Sequence, residues 1–234
     1  SIRSNQEVAR DVAGVFTSHV YNLVDIEHTI GLTLWGEHGI PRSASSDYLK
    51  SVADDFPSIS YVSAADANGY IYASSSPAFI GLDQSKHPTL RKVMEGAEWA
   101  LSDVFTHAAG EENVFGIVVG IRDKAGRLQG MVLVLMDEED LTRALGHEIM
   151  SPAVLVITDS RGTVALTHGN RLSWRQRDWS KLWFIKQALD GRRVTVEKLR
   201  MPNGQVMLGS VEPIRELGWT ASVWRSRQEV LGPV

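Results

Sequence analysis

One short pattern occurs twice in this chain, and it constrains the fold more than any other feature. Ile59-Ser60-Tyr61-Val62 leads into Asp66-Ala67-Asn68-Gly69, and Tyr70-Ile71-Tyr72-Ala73 leads out. Residues 154–158 lead into Asp159-Ser160-Arg161-Gly162, and Thr163-Val164-Ala165-Leu166 leads out, 93 positions further on. Strand-like sequence on both sides of an Asp…Gly turn is a hairpin signal. The helical stretch 90–96 has a counterpart in 185–191, offset by 95, and Gly120 and Gly130 match Gly209 and Gly218 at 89 and 88. A period near ninety is too long for a solenoid and fits two consecutive copies of one small α+β domain. The boundary is expected near residues 146–152.

The segment before the first copy is helical. Val8, Val12, Val15/Phe16, Val20, Leu23, Ile26 and Ile30 recur every three or four residues, the period of one helix face. Gly14 and Gly31 weaken that helix by about 1 kcal/mol each relative to Ala, and the breakers Gly36, Gly39 and Pro41 end it. A second helix is expected with Asp47 as its cap, Leu49, Val52 and Phe56 on one side, and Pro57 as the stop. In the first copy, residues 114–121 and 131–136 read as the central strands of an antiparallel sheet. Asp137-Glu138-Glu139-Asp140 then opens a helix whose positive dipole end the carboxylates complement.

Composition enters mainly by exclusion. The chain has 234 residues, 43% of them hydrophobic, enough for a real core. A formal charge of −4 gives no basic face for nucleic acid. No run approaches the roughly 18–20 apolar residues of a bilayer crossing. The absence of cysteine removes disulfides, thiolate catalysis and sulfur metal sites. There is no nucleophile elbow and no phosphate-cradling glycine loop. His147-Glu148 lacks the second histidine of a zinc-protease helix, and the seven histidines are scattered. No catalysis, cofactor or metal is expected. Trp174, Trp179 and Trp183, interleaved with Arg171, Arg175, Arg177 and Lys181, could stack a ligand or grip a membrane. The plainer reading has the tryptophans covering the second sheet and the cations facing water.

A long N-terminal helix followed by two sheet-and-helix units about ninety residues apart resembles the double Cache sensor family, the extracytoplasmic ligand-binding regions of bacterial and archaeal receptors. The resemblance covers the whole chain. It rests on the Asp66…Gly69 hairpin, the helix of residues 88–96, the strand pair ending at 130–136, and the repeat of this set. It implies an α+β fold with two PAS-like antiparallel modules: residues 1–56 as the long helix and a second helix, 57–145 as the membrane-distal module, and 146–234 as the membrane-proximal one. It also implies a small-molecule sensing domain of a transmembrane receptor. A histidine kinase is the first expectation for the output, with a diguanylate cyclase, a chemoreceptor or a ligand-independent dimerisation module as alternatives. The chain is then expected to be a piece of something longer, flanked by transmembrane helices and homodimeric through its N-terminal helix.

Family members that bind amino acids carry an Arg-x-Trp pair before the short helix and an Asp in the last strand of the distal unit. Here His87, Thr89 and Leu135 occupy those positions, which disfavours a typical amino acid and points to a small carboxylate or a neutral molecule. The pocket is expected over the sheet face of residues 70–74, 103–105 and 115–119, lidded by residues 81–89. Tyr72, Phe105 and Phe115 are expected as apolar walls, with Ser74 and Thr89 as hydroxyls and His87 as the polar end. Arg91 stands nearby, and Asp103 and Ile117 lie on the flanking strands. If a cationic His87 holds a carboxylate, affinity weakens as pH rises.

Overall fold

The computed structural model describes residues 4–106, 113–146, 153–169, 176–201 and 204–231. The first helix, α1, runs unbroken over Asn5–Trp35. Its buried face is Val8, Val12, Phe16, Val20, Leu23, Glu27, Ile30 and Leu34, so Glu27 rather than Ile26 occupies the core position at that turn. The second helix, α2 (Arg42–Asp55), starts six residues earlier than expected: Pro41, not Asp47, precedes it and Asp47 lies inside it.

The chain divides into two compact units, residues 19–144 in one and residues 1–18 with 145–234 in the other. In the first, the strands are β1 (Tyr61–Asp66), β2 (Ile71–Ser74), β3 (Trp99–Leu101), β4 (Phe105–Thr106), β5 (Asn113–Arg122) and β6 (Leu128–Asp137). They form an antiparallel sheet in the order β2-β1-β6-β5-β3, with β4 also paired to β5. Helix α3 (Pro88–Met94) follows the β2 hairpin, and α4 (Glu138–Leu145) follows β6. In the second unit, β7 (Val154–Thr158), β8 (Val164–His168), β9 (Val194–Arg200), β10 (Val206–Ile214) and β11 (Trp219–Ser226) form a sheet in the order β8-β7-β11-β10-β9. It has one helix after its hairpin, α5 (Trp183–Leu189), and a last one, α6 (Arg227–Leu231). The two sheets share one strand order, as a duplication requires.

The repeat extends to single hydrogen bonds. Asp66 Oδ1 accepts the N–H groups of Asn68 and Tyr70, and Asp159 Oδ1 accepts those of Arg161 and Thr163. Such a carboxylate organises its own turn, which is why Asp leads both copies. Gly69 and Gly162 stand at φ of 87° and 85°, and a Cβ on either would meet the Cα of Ser85 or Ser180 at 2.8 Å. Only glycine fits there. One proposed match moves. Cross-strand pairing sets Gly116 opposite Leu135 and Gly209 opposite Trp224, so Gly116, not Gly120, is the counterpart of Gly209. Gly218 is a turn glycine like Gly126, and Trp219 takes the place of Gly130.

Trp179 is buried in the second unit's core while Trp183 is half exposed. Trp174, Arg171, Arg175 and His147-Glu148 lie outside the described residues. Among the described residues no helix is long and apolar enough to cross a membrane.

Candidate ligand-binding site

The two faces of the first sheet are set by what a side chain would meet on each. A Cβ on Gly130 would strike Trp35, and one on Gly31 would strike Ile121, so Gly130 and Ile121 face α1. A Cβ on Gly120 would strike Val93 of α3, so the neighbouring strand position faces the opposite way. Because side chains alternate along a strand and cross-strand partners share a face, Gly116, Val118, Leu133, Leu135 and Ser63 lie on the α3 side.

A cavity of about 250 Å³ opens on that side, closed over by α3, Phe79, Leu82 and Gln84. It far exceeds the ~10–15 Å³ that a single water needs. Apolar walls come from Ile71, Phe79, Leu90, Phe105, Val118 and Leu133, and polar groups from Ser63, Gln84, His87, Thr89, Ser102 and Thr106. Ile117 borders the cavity between Gly116 and Val118, while strand alternation turns its side chain to the α1 face. Among the described residues this lining has no aspartate, glutamate, lysine or arginine.

His87 is held by the start of α3. Its Nδ1 accepts the Thr89 N–H at 3.3 Å, and its ring lies 5.0 Å from that of Phe105. That bond assigns the remaining proton to Nε2. Burial pushes the His87 pKa below the ordinary 6.5, and protonating Nδ1 would set two donors against each other. The imidazole is therefore neutral near pH 7, contrary to the cationic carboxylate partner expected from sequence. Ser102 Oγ accepts the Gly116 N–H at 2.8 Å, which leaves its own O–H to donate. Ser63 Oγ pairs with Ser74 Oγ at 2.8 Å, so Ser74 supports a lining residue from behind.

Of the residues expected at the site, His87, Thr89, Phe105 and Ile117 line this cavity, as does Leu135, and Ser74 stands one hydrogen bond away. Tyr72, Arg91, Asp103 and Phe115 are not among the lining residues. A β-bulge between Ala64 and Ala65 makes Ile71 the cavity-facing residue of β2, while Tyr72 packs edge-on against Trp35 with Arg42 4.4 Å over its ring. Simple alternation from Ser74 cannot foresee that. Phe115 precedes Gly116 and so takes the α1 side, fully buried. Arg91 reaches outward to Glu95 at 3.2 Å. Asp103 is half-buried beside Ser102. Sequence reading missed Ser63, Gln84 and Ser102; short polar residues within strand sequence were the available signal for the two serines.

No protein-family model and no curated protein matches the chain. Solved structures do match. The extracellular domain of the proposed histidine kinase rpHK1S-Z16 is 17% identical, with a TM-score of 0.74 over 98% of this chain and 94% of that one. The ligand-binding domain of the Pseudomonas fluorescens chemoreceptor CtaA, in complex with L-isoleucine, is 13% identical with a TM-score of 0.67, over 96% and 90% of the two chains. That of the Campylobacter jejuni chemoreceptor Tlp3, in complex with 4-methylisoleucine, is 12% identical with a TM-score of 0.66, over 98% and 92%. The chain has the double Cache fold.

Among the described residues, the corresponding positions of the second Cache module are packed. The hairpin, bridge and cross-strand partners place Ser63, Gln84, Thr89 and Leu135 of the first module at the positions of Val156, Trp179, Phe184 and Trp224 of the second. Those four pack into one apolar cluster, with Trp179 and Phe184 each about 6 Å or less from the Trp224 ring. His87 has Leu182 as its counterpart at the start of α5. The second module fills with its own aromatic side chains the space that the first keeps open.

Proposed function

We propose that this chain is the extracytoplasmic small-molecule sensing domain of a membrane receptor, with a sensor histidine kinase as the first candidate for the output and a chemoreceptor or diguanylate cyclase as the alternatives. In this reading residues 57–145 form the membrane-distal, ligand-binding module and residues 146–234 the membrane-proximal one. The likeness of the whole chain to extracellular domains of proposed kinases and to chemoreceptor ligand-binding domains supports it. The observation that carries it is the contrast between modules. One keeps a lined cavity with convergent polar groups, the usual form of a ligand site, and the other plugs the same place with Trp179, Phe184 and Trp224.

Such a domain works by differential affinity. A molecule that prefers one conformation shifts a two-state equilibrium, by no more than the difference in its affinities for the two states. In the intact receptor, flanking transmembrane helices would carry the shift inward, and homodimerisation through α1 would bring two copies together. The exposed Tyr21 and Leu32 on that helix support the latter. The test is a thermal-shift screen of small amides, acids, amines and sugars. A specific binder at a hundred times its Kd stabilises the fold by about 2.7 kcal/mol. A screen without any stabilising compound counts against sensing and favours a ligand-independent assembly module.

A further inference from the structure

Resting on the sensing role just proposed, the geometry of the first module's cavity narrows what it senses. We propose that it receives an uncharged molecule with a short apolar body and a carbonyl or carboxamide oxygen that accepts hydrogen bonds from Ser102, Thr89 and His87.

The cavity's lining sets the charge. Among the described residues it contains neither an acid nor a permanently charged base, so a carboxylate or ammonium entering it would exchange its hydration for neutral dipoles of those residues without a counter-ion among them. The cation nearest in sequence to the His87 loop that carries an ion pair, Arg91, is bound to Glu95 and has a side chain 61% exposed. Amino-acid zwitterions, the ligands of the CtaA and Tlp3 domains, need compensation at both ends, and the described residues of this lining offer it at neither.

The donor inventory sets the functional group. Ser102 accepts the Gly116 N–H with one lone pair and has its O–H to give. His87 spends Nδ1 on the Thr89 N–H and presents Nε2–H. The Thr89 hydroxyl lies at the same end of the cavity, on a residue only 5% exposed. All three residues line the cavity and have a neutral donor to offer an acceptor of the ligand. Gln84, with both an oxygen and an NH₂ group, can answer the N–H of an amide. The remaining wall of Ile71, Phe79, Leu82 and Leu133 takes an alkyl body.

The experiment is calorimetric titration of the 234-residue chain with pentanamide, pentanoate, pentylamine and L-norvaline at about pH 7.5, where acid and amine are charged. These compounds share an unbranched five-carbon skeleton and differ in their polar and charged groups. Pentanamide is expected to bind at least about tenfold tighter than the other three. Thr89→Val, which removes a hydroxyl without changing shape, should weaken pentanamide by about fivefold or more, as should Ser102→Ala. Pentanoate or L-norvaline binding as tightly as pentanamide would overturn the neutral-ligand assignment while leaving the sensing role intact. Pentanamide binding untouched by both substitutions would overturn the donor assignment. If none of the four binds, and a broader screen finds only charged ligands whose binding is lost in Leu135→Trp, the ligand class is wrong and the site is right. If nothing in either screen binds, the sensing role itself fails.

Discussion

The indole of Trp224 lies across Gly209 so closely that a Cβ on the glycine would stand 2.2 Å from Cε3. The two are cross-strand partners in β10 and β11, and the bare glycine backbone is what lets the ring lie flat in the core. Gly209→Ala should destabilise the second module by about 1–3 kcal/mol, the usual cost of overpacking. Gly14→Ala is the contrasting case, since nothing lies within 4 Å of its would-be Cβ in α1. It should gain about 1 kcal/mol from helix propensity. Urea unfolding of the two variants gives opposite signs if this account of the packing is right.

The same relationship predicts how to close the cavity. Leu135 stands opposite Gly116 as Trp224 stands opposite Gly209. Leu135→Trp should install in the first module the plug that the second already has. The expected outcome is a folded protein whose thermal shift with any cavity-binding compound disappears. A Leu135→Trp variant that still binds its parent's ligand with unchanged affinity would show that the ligand sits elsewhere.

Glu27 is buried in the core-facing stripe of α1, and neither of its carboxyl oxygens has a hydrogen-bond partner. Burial raises its pKa well above the ordinary 4.5, so the folded protein holds this proton to higher pH than the unfolded chain does. The unfolded chain loses that proton first as pH rises. Stability therefore falls with increasing pH from about 4.5 up through the raised folded value. Glu27→Gln should remove this slope, and Glu27→Leu should remove it and add stability, because an unpaired buried polar group is replaced by an apolar one. Urea titrations across the pH range check it; parallel slopes in parent and Gln variant would refute it.

His87 titrates in the other sense. Its lowered pKa means that its contribution to stability is complete above the ordinary value of 6.5 and is lost as pH falls through that value and the folded one. Ligand affinity should be flat between about pH 7 and 8 and drop on the acid side as Nδ1 protonates and releases the Thr89 N–H. This reverses the dependence expected of a cationic carboxylate partner. His87→Asn, which keeps a capping side chain, should flatten the acid limb.

Arg91→Ala tests the residue that sequence placed near the site. Its ion pair with Glu95 is exposed on both sides and worth about 0–1 kcal/mol. Neither stability nor binding should change beyond that, and a large loss of ligand affinity would return Arg91 to the site.

The duplication, the turn carboxylates and the long helix were legible in sequence because they are local. An Asp that caps its own turn, a glycine at positive φ and a three-to-four spacing each act within a few residues, and they act identically in both copies. The site was only partly legible. His87, Thr89 and Phe105 could be placed because they flank a recognisable helix and strand. Tyr72 and Phe115 could not, since a bulge on β2 at Tyr72 and the orientation of β5 decide which face each side chain takes. Glu27 escaped notice because a search for apolar periodicity passes over a carboxylate.

Sequence by itself determined that this chain folds as two copies of one α+β module behind a helix, since short-range propensities and a period of ninety residues suffice for that. Tertiary structure alone decided how matching positions are filled in each copy. Whether Ser63, Gln84, Thr89 and Leu135 leave a space that Val156, Trp179, Phe184 and Trp224 close depends on side chains far apart in the chain meeting across one sheet face. The volume left between them is a property of their packing together, which no single position encodes.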